Sequence, residues 1–249
     1  MLFSIVIATY NVESCVKRCL DSIADQKFRN AEVLVVDGKS RDLTVDVIAA
    51  HPVVSKWISE PDKGIYDAWN KGIALAQGQW IIFIGADDYL ATNALDSLAE
   101  YCVSHDYLDF VSGKVSLVDE RGRQLRTVGE KWNWAKFRRE MNVAHPGAAH
   151  NRKLYNEVGF YGIKYKIVGD YELLLRKRAS LNVGFVDTVL ANMTVGGVSH
   201  MSRAALDERY AAKAEHNTVP VIFNFVSLYY GYVKLYIKIF LLKLGLVKV

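Results

Sequence analysis

The sequence predicts an α/β fold, a mostly parallel sheet flanked by helices, and three observations carry that reading. Residues 2–8 and 80–84 are apolar runs and residues 32–36 a strand whose last four residues are apolar, and the run at 80–84 reads as a strand buried on both faces. The stretches between them place apolar residues every three or four positions, the spacing of helices packed on a sheet. Each run then empties into polar residues: Thr9-Tyr10-Asn11, Asp37-Gly38-Lys39-Ser40 and Gly85-Ala86-Asp87-Asp88. Open α/β sheets bind ligands at that carboxyl edge, so the chemistry is expected there.

Strand one feeds a helix carrying Val12, Val16, Cys19, Leu20 and Ile23. Strand two feeds a helix with Val45, Val47 and Ile48, for which Ser40 or Asp42 is the candidate cap. Residues 56–59 make a short third strand. With right-handed crossovers this is half of a doubly wound sheet of the nucleotide-binding type. Residues 60–64 form a turn, and the next helix has the apolar stripe Ile65, Ala68, Trp69, Ile73 and Ala76, closed by Gly78. Tyr66, Asp67, Asn70 and Lys71 lie off that stripe. Beyond Asp88, Ala94, Leu95, Leu98 and Cys102 mark a helix; residues 108–118 and 124–128 read as strands joined by a turn. Trp132, Trp134 and Phe137 fit an acceptor platform or a core-facing helix. His145-Pro146-Gly147 precedes a short helix at 152–158, Asp170 opens another, and 182–195 supplies one or two strands before a glycine-rich loop at 196–200.

Composition bounds the rest. A chain of 249 residues with net charge +4 is globular and lacks the basic stripe that nucleic acid demands. Cys15, Cys19 and Cys102 have no metal spacing, and the first two, at i, i+4 on an expected helix, read as buried small hydrophobes. The first residues lack a basic leader and a cleavage site, so a cytoplasmic location is expected. The division expected is 1–112, a nucleotide-binding half, 113–217, an acceptor-binding half, and a tail at 218–249. Residues 219–233 carry no charge, but fifteen fall short of the roughly 20 that span a bilayer. Followed by Lys234, Lys238, Lys243 and Lys248, the tail reads as an apolar, basic helix lying on an anionic membrane surface. A helix docked on the domain, or a homodimer contact, is the alternative. Adjacent Asp87 and Asp88 offer hard oxygen ligands suited to Mg²⁺ or Mn²⁺ and thereby to a diphosphate; acids at a helix N-terminus are the plainer alternative.

Six segments, in this order and spacing, resemble family 2 glycosyltransferases of the GT-A fold. They are SIVIATYN at 4–11, EVLVVDGKSRDLT at 32–44, SEPDKGIYDAWNKGI at 59–73, GADD at 85–88, GDYELLLR at 169–176 and GGVS at 196–199. The third is especially like bacterial transferases that build O-antigen, capsule and exopolysaccharide repeats. The resemblance implies a Rossmann-like, mixed and mostly parallel sheet. It implies that Thr9, Tyr10 and Asn11 line the nucleotide pocket and that Asp37 accepts a hydrogen bond from uracil. Lys63, Asp67, Asn70 and Lys71 would contact the nucleotide and donor sugar. Asp87 and Asp88 would hold Mn²⁺ or Mg²⁺ on the diphosphate of a UDP-sugar, with Gly85 in place of the motif's first acid. Asp170 matches the general base of inverting enzymes. His145 falls on the acceptor side, where a structural role fits equally, and His200 follows GGVS toward the metal.

The implied chemistry is coherent. A divalent ion stabilises charge on a departing nucleoside diphosphate, and a carboxylate takes the proton of an acceptor hydroxyl as it attacks. The Gln-x-x-Arg-Trp motif of processive synthases is missing, which favours addition of one sugar. A polyprenyl-diphosphate-linked saccharide acceptor would explain a tail at the membrane. A sugar-nucleotide nucleotidyltransferase would need a glycine-rich basic loop after strand one, where Thr9-Tyr10-Asn11-Val12-Glu13 stands instead. A non-catalytic, sugar-nucleotide-binding assembly partner would tolerate loss of Asp170, which is present.

Overall fold

In the computed structural model, residues 1–195 and 202–243 are described. The first half runs β1 (Phe3–Thr9), α1 (Val16–Ala24), β2 (Ala31–Asp37), α2 (Thr44–Ala50), β3 (Lys56–Ser59), α3 (Ile65–Leu75), β4 (Trp80–Gly85), β5 (Tyr89–Leu90) and α4 (Ala94–Ser104). Then follow β6 (Phe110–Val118), β7 (Gln124–Val128), α5 (Trp134–Phe137), β8 (Ala149–Asn151), α6 (Arg152–Val158), α7 (Gly169–Leu175) and β9 (Val183–Thr194). Two helices close the chain, α8 (Arg203–Glu215) and α9 (Val221–Lys243).

The strands make one nine-stranded sheet, ordered β3-β2-β1-β4-β8-β6-β9-β5, with β7 on β6. β1, β2, β3 and β4 pair in parallel, as do β6 and β9, whereas β8 joins β4 to β6 antiparallel to both. Alternation along the central strands sends side chains to two cores. Phe3, Ile5, Ile7, Ile82 and Ile84 meet Val16, Leu20 and Ile23 of α1, Ile48 of α2 and Leu95 and Leu98 of α4. Val6, Ile81 and Phe83 meet Trp69 and Ile73 of α3, Leu154 of α6 and Leu173 and Leu174 of α7. The result is a helix–sheet–helix sandwich with the mixed, mostly parallel sheet that the sequence predicted. Gly72 fixes the approach of α3, since a Cβ there would lie 2.3 Å from Val6 Cγ1.

Several local expectations change. Leu43, rather than Ser40 or Asp42, is the N-cap of α2, because Ser40 is bonded to Asp37; Asp42 Oδ1 still accepts the Thr44 N–H at 3.1 Å. On α3, Ile65 is exposed and Tyr66 buried, the reverse of the apolar stripe. The two-residue β5 and three-residue β8 were not expected, being too short to show any periodicity. Phe137 is buried, with Trp132 and Trp134 packed against the same core, so the aromatic cluster faces inward. Cys19 and Cys102 are buried, and burial pushes the Cys102 thiol up to about 12, as for inert core thiols, whereas Cys15, also expected to be buried, is only half-buried at the N-cap of α1.

The tail is one continuous helix of 23 residues, about 34 Å long at 1.5 Å per residue. That replaces the fifteen-residue limit: Lys234 and Lys238 do not interrupt it, and Val221–Leu242 is long and apolar enough to cross a membrane. It folds back along α8. Asn224 Nδ2 donates to Tyr210 O at 3.0 Å, Tyr232 OH donates to Asp207, and Gly231 abuts Leu206. Asn224 and Leu235 are buried by this packing, while Phe223, Phe225, Tyr229, Tyr230, Tyr236 and Phe240 are exposed. The segment Gly196–Ser199, His200 and Lys248 lie outside the described residues.

Candidate active site

The carboxyl ends of β1 to β4 lie side by side, because the register pairs Thr9 with Asp37, Asp37 with Ser59 and Ala8 with Gly85. Strand order reverses at β1, with β2 and β3 to one side and β4 to the other, and the β1–β4 switch point is where open sheets place their ligand crevice.

Asp37 is the hub of this edge and is fully buried. Its Oδ1 accepts from Thr9 Oγ1 (3.0 Å) and Ser40 Oγ (2.5 Å), its Oδ2 from the Ser40 N–H (2.9 Å) and Ser59 Oγ (2.7 Å). Burial works to raise its pKa, but the donors on Ser40, Ser59 and Thr9 prevail and hold the carboxyl below the usual range. A carboxylate accepts about four hydrogen bonds, and here the protein supplies all of them. To meet uracil as expected, Asp37 would have to exchange one of these donors for the base. Its lone pairs are taken. Asn11, in the left-handed region at φ +50, donates its N–H to Ser40 Oγ (2.8 Å) and accepts the Arg41 N–H (2.9 Å). Thr9 and Asn11 therefore build the wall of the crevice, while Tyr10 projects from it, 58% exposed.

Asp37→Asn is expected to cost about 1–3 kcal/mol at neutral pH, because its amide nitrogen would face a donor. The lowered folded pKa sets the sign. Stability from the ionised group is complete above the unfolded value of about 3.9 and is lost as pH falls through the folded value. Melting curves should show a gap between variant and wild type at pH 7 that closes in acid. A gap of equal size throughout would deny Asp37 an ionic part.

β4 ends at Gly85, and the chain turns so that the Asp88 N–H donates to Gly85 O at 3.0 Å. A Cβ on Gly85 would lie 2.8 Å from Asp87 Oδ1 and 3.0 Å from Asp88 Oδ2, so the two carboxylates converge on one small space. Asp88 is buried; burial first, then the charge of Asp87, pushes its carboxyl up to about 7. Arg18 of α1 comes near but hydrogen-bonds neither carboxylate. Its Nη2 donates to Asp87 O (2.6 Å) and Thr194 Oγ1 (3.1 Å), and its guanidinium covers the Tyr89 ring at 4.8 Å. Thr194, ending β9, gives its N–H to Asp88 Oδ1 (3.0 Å) and its hydroxyl to Asp87 O (2.8 Å). The pair precedes β5, not a helix, so the helix-dipole alternative lapses. Two converging hard oxygens, with Asp88 raised by burial and then by the charge of Asp87, fit Mg²⁺ or Mn²⁺.

In the turn before α3, polar groups expected to meet the donor also bond within the protein. Asp67 Oδ2 accepts the Lys63 N–H (2.9 Å), and Lys71 Nζ donates to Pro61 O (2.8 Å) and pairs with Glu60 (2.8 Å). The Asn70 amide grips the Tyr161 backbone with both its atoms, each at 2.9 Å. Asn70 and Lys71 thus brace the edge of the site. Lys63 is exposed.

Asp170 sits half-buried in the first turn of α7. Its Oδ1 accepts the Tyr171 N–H (2.8 Å) and lies 3.3 Å from Tyr66 OH, whose single proton it shares with the nearer Ile167 O (2.8 Å). Burial, then the charge of Asp170, raises the Tyr66 pKa well above its ordinary value, so the phenol remains a donor. Tyr66 packs on Gly169, where a Cβ would stand 2.8 Å from its ring. The backbone entering α7 is capped from elsewhere: Glu208 of α8 accepts the N–H groups of Lys166 (2.9 Å), Ile167 (2.9 Å) and Val168 (3.1 Å). His145 stacks on Trp69, centroids 5.1 Å apart, and its turn hangs on β4 through the Gly147 N–H to Phe83 O (3.0 Å). Burial lowers the pKa of His145 against the opposing charge of Asp170. A second group with ligand-like spacing, Glu172, Glu215 and His216, is already neutralised: Arg176 grips Glu172, and Lys164 grips Glu215.

Residues 4–157 match the family described as Glycosyl transferase family 2. PGL/p-HBAD biosynthesis glycosyltransferases of Mycobacterium bovis and Mycobacterium tuberculosis are 32% identical over 211 residues, 80% of this chain and 79% of theirs. The chain belongs to glycosyltransferase family 2. Its fold agrees. S. aureus TarS 1–349, solved in complex with UDP-GlcNAc, superposes with a TM-score of 0.70 at 18% identity, over 92% of this chain and 70% of that one. The Pyrobaculum calidifontis mannosyltransferase PcManGT, solved with GDP-Man and Mn²⁺, gives 0.64 at 16% identity, over 93% and 74%.

In this glycosyltransferase, three contributors went unnoticed in the sequence, Arg18, Thr194 and Glu208, whereas Tyr66 was placed with Asp67, Asn70 and Lys71 off the apolar stripe of its helix. Tyr66 had a faint signal, lying three residues before Trp69 on one helical face. Arg18, Thr194 and Glu208 reach the site from positions 69 to 107 or 40 to 42 residues away in sequence, and spacing carries no trace of that.

Proposed function

We propose that this glycosyltransferase moves one sugar from a UDP-sugar to a hydroxyl of a lipid-linked saccharide, with inversion and with a divalent metal, at the cytoplasmic face of a membrane. The observation that carries the reading is the separation of two acidic functions. Asp87 and Asp88 converge at the exit of β4, and Asp170 stands apart on α7, beside Tyr66 and the His145 turn.

Asp87 and Asp88 would hold Mn²⁺ or Mg²⁺, which when bound stabilises charge on a departing diphosphate. Arg18 and Thr194 keep that acid turn in place. Asp170 takes the proton of the attacking hydroxyl, and Tyr66 fixes the carboxylate so that one oxygen faces the acceptor. No enzyme nucleophile is needed, because a single displacement inverts the anomeric centre. The relatives named for PGL/p-HBAD biosynthesis and the TarS complex with UDP-GlcNAc support a glycosyl transfer from a UDP-sugar. The test is release of UDP from a panel of UDP-sugars when a bacterial lipid extract and Mn²⁺ are added. Release that is indifferent to the extract would remove the lipid-linked acceptor.

The exposed side of α9 supports the membrane placement. Its stripe through Asn224 and Leu235 is covered by α8, so a bilayer-spanning α9 would have to leave that packing; an α9 lying in the interface need not. Replacing Phe223, Phe225, Tyr229 and Ile237 by Ser spares the covered stripe. Full burial of each is worth roughly 1.5–3 kcal/mol, so co-sedimentation with anionic vesicles should fall at least tenfold. Unchanged sedimentation, with loss of a dimer on a sizing column, would make α9 an oligomer element instead.

A further inference from the structure

The filled Asp37 leaves the base pocket without the acceptor expected of it, and the structure supplies another. Gly38 follows Asp37 directly, at the mouth of the crevice. The point where its Cβ would lie is 2.6 Å from Asp62 Oδ2, 3.3 Å from Asp62 Cγ and 3.3 Å from Tyr10 Cδ2. A carboxylate from the turn before α3 and the ring of the residue after β1 thus meet over a glycine that has no side chain to exclude them. Asp62 is only half-buried, and its other oxygen, Oδ1, is fixed by the Gly64 N–H at 2.8 Å. That bond orients the carboxylate and leaves Oδ2 toward Gly38 and Tyr10, with no hydrogen-bond donor on it among the described residues.

We propose that Asp62 Oδ2 reads the base of the donor nucleotide by accepting the uracil N3–H, with the Tyr10 ring as the stacking surface and Gly38 as the space that admits both. The assignment rests on the UDP-sugar reading above. Three features separate Asp62 from its neighbours. Asp37 has four donors and no exposure. Asp67 gives its Oδ2 to the Lys63 N–H. Asp87 and Asp88 lie at the end of β4, separated from β2 by β1. Asp62 alone of these acids combines an oriented carboxylate, an unoccupied oxygen and an adjacent exposed aromatic ring. Uracil presents a ring N–H at N3, whereas cytosine presents a lone pair there, which a carboxylate repels.

The geometry also fixes what a near-isosteric change does. In Asp62→Asn the carbonyl oxygen must stay on the Gly64 N–H, so the amide nitrogen turns toward the base. It then opposes the uracil N–H and suits the cytosine lone pair. Calorimetric titration of the full chain with UDP and with CDP, Mg²⁺ present, tests this. Wild type is expected to prefer UDP; Asp62→Asn should lose roughly 10–100-fold in UDP affinity, as for a hydrogen bond to a charged group, and should hold CDP at least as well as UDP. Gly38→Ala attacks the same contact from the opposite side, without requiring an unusual backbone, and should also weaken UDP. Equal UDP affinity in Asp62→Asn and wild type, with wild type still preferring UDP, overturns the assignment to Asp62 and leaves the UDP-sugar reading standing. A wild type that binds CDP or GDP as tightly as UDP overturns both. A UDP loss in Gly38→Ala with an unchanged UDP-to-CDP ratio in Asp62→Asn also overturns it, since the effect would then be one of space and not of recognition.

Discussion

Asp170→Asn is expected to lower kcat by roughly 10²–10⁴-fold while leaving UDP-sugar affinity where it was, the range that general base catalysis contributes. The substitution keeps shape and one acceptor oxygen, so the Tyr171 N–H and Tyr66 OH can still be met. What disappears is the capacity to take a proton from the acceptor hydroxyl. A purely structural role predicts something else. Were Asp170 needed to satisfy the start of α7, Asn would serve about as well, and the rate would survive. The structure sharpens that contrast, because Glu208 already accepts three backbone N–H groups ahead of α7. Turnover and donor affinity measured on one preparation therefore decide it. Near-normal kcat with a wild-type melting curve would remove Asp170 from the chemistry and bring forward His145, the buried imidazole whose pKa registers the charge of Asp170.

The second large effect concerns the acid pair. EDTA should abolish transfer and Mn²⁺ or Mg²⁺ restore it, and Asp87→Ala with Asp88→Ala should abolish it irrecoverably, a loss of several kcal/mol of transition-state stabilisation. A readout independent of activity comes from stability. Two carboxylates forced together, one of them buried, destabilise the metal-free fold. Asp88 has its pKa raised, so the penalty is absent below the unfolded carboxylate range, grows as pH rises toward 7 and is complete above it. In EDTA at pH 8, Asp88→Asn should therefore melt higher than wild type, since its amide oxygen can still accept the Thr194 N–H. Mn²⁺ should raise the melting temperature of wild type and leave that of the variant unmoved. A wild type whose melting and turnover both ignore EDTA and Mn²⁺ would end the metal assignment.

The positions of the predicted site residues divide along a physical line. Asp87 and Asp88 could be found because a fully apolar strand ending in two acids is a local pattern, and chain order alone puts that end at the sheet's carboxyl edge. Asp37, Asn70 and Lys71 were assigned through the resemblance, and their polar atoms also bond within the protein. A sequence shows that a carboxylate or an amide is present. It does not show which donors fold against it.

What the sequence by itself determined is the alternation of strands and amphipathic helices, the family, and the acid turn after β4. Each of these is written in periodicity or in contiguous residues, and side chains two or four positions apart must share a face whatever else happens. Only the tertiary structure decided that β8, three residues long, stitches β4 to β6, that Thr194 and Arg18 clasp the acid turn, and that Tyr66 rather than Ile65 turns inward to reach Asp170. Those contacts join segments up to 107 residues apart, and their energy comes from filling one another's hydrogen-bonding and packing needs, which no single stretch of chain encodes. The burial of Asp37 and the orientation of Asp62 belong to the same class: adjacent segments of one edge competed for a limited set of donors, and the fold settled which carboxylate remained unoccupied.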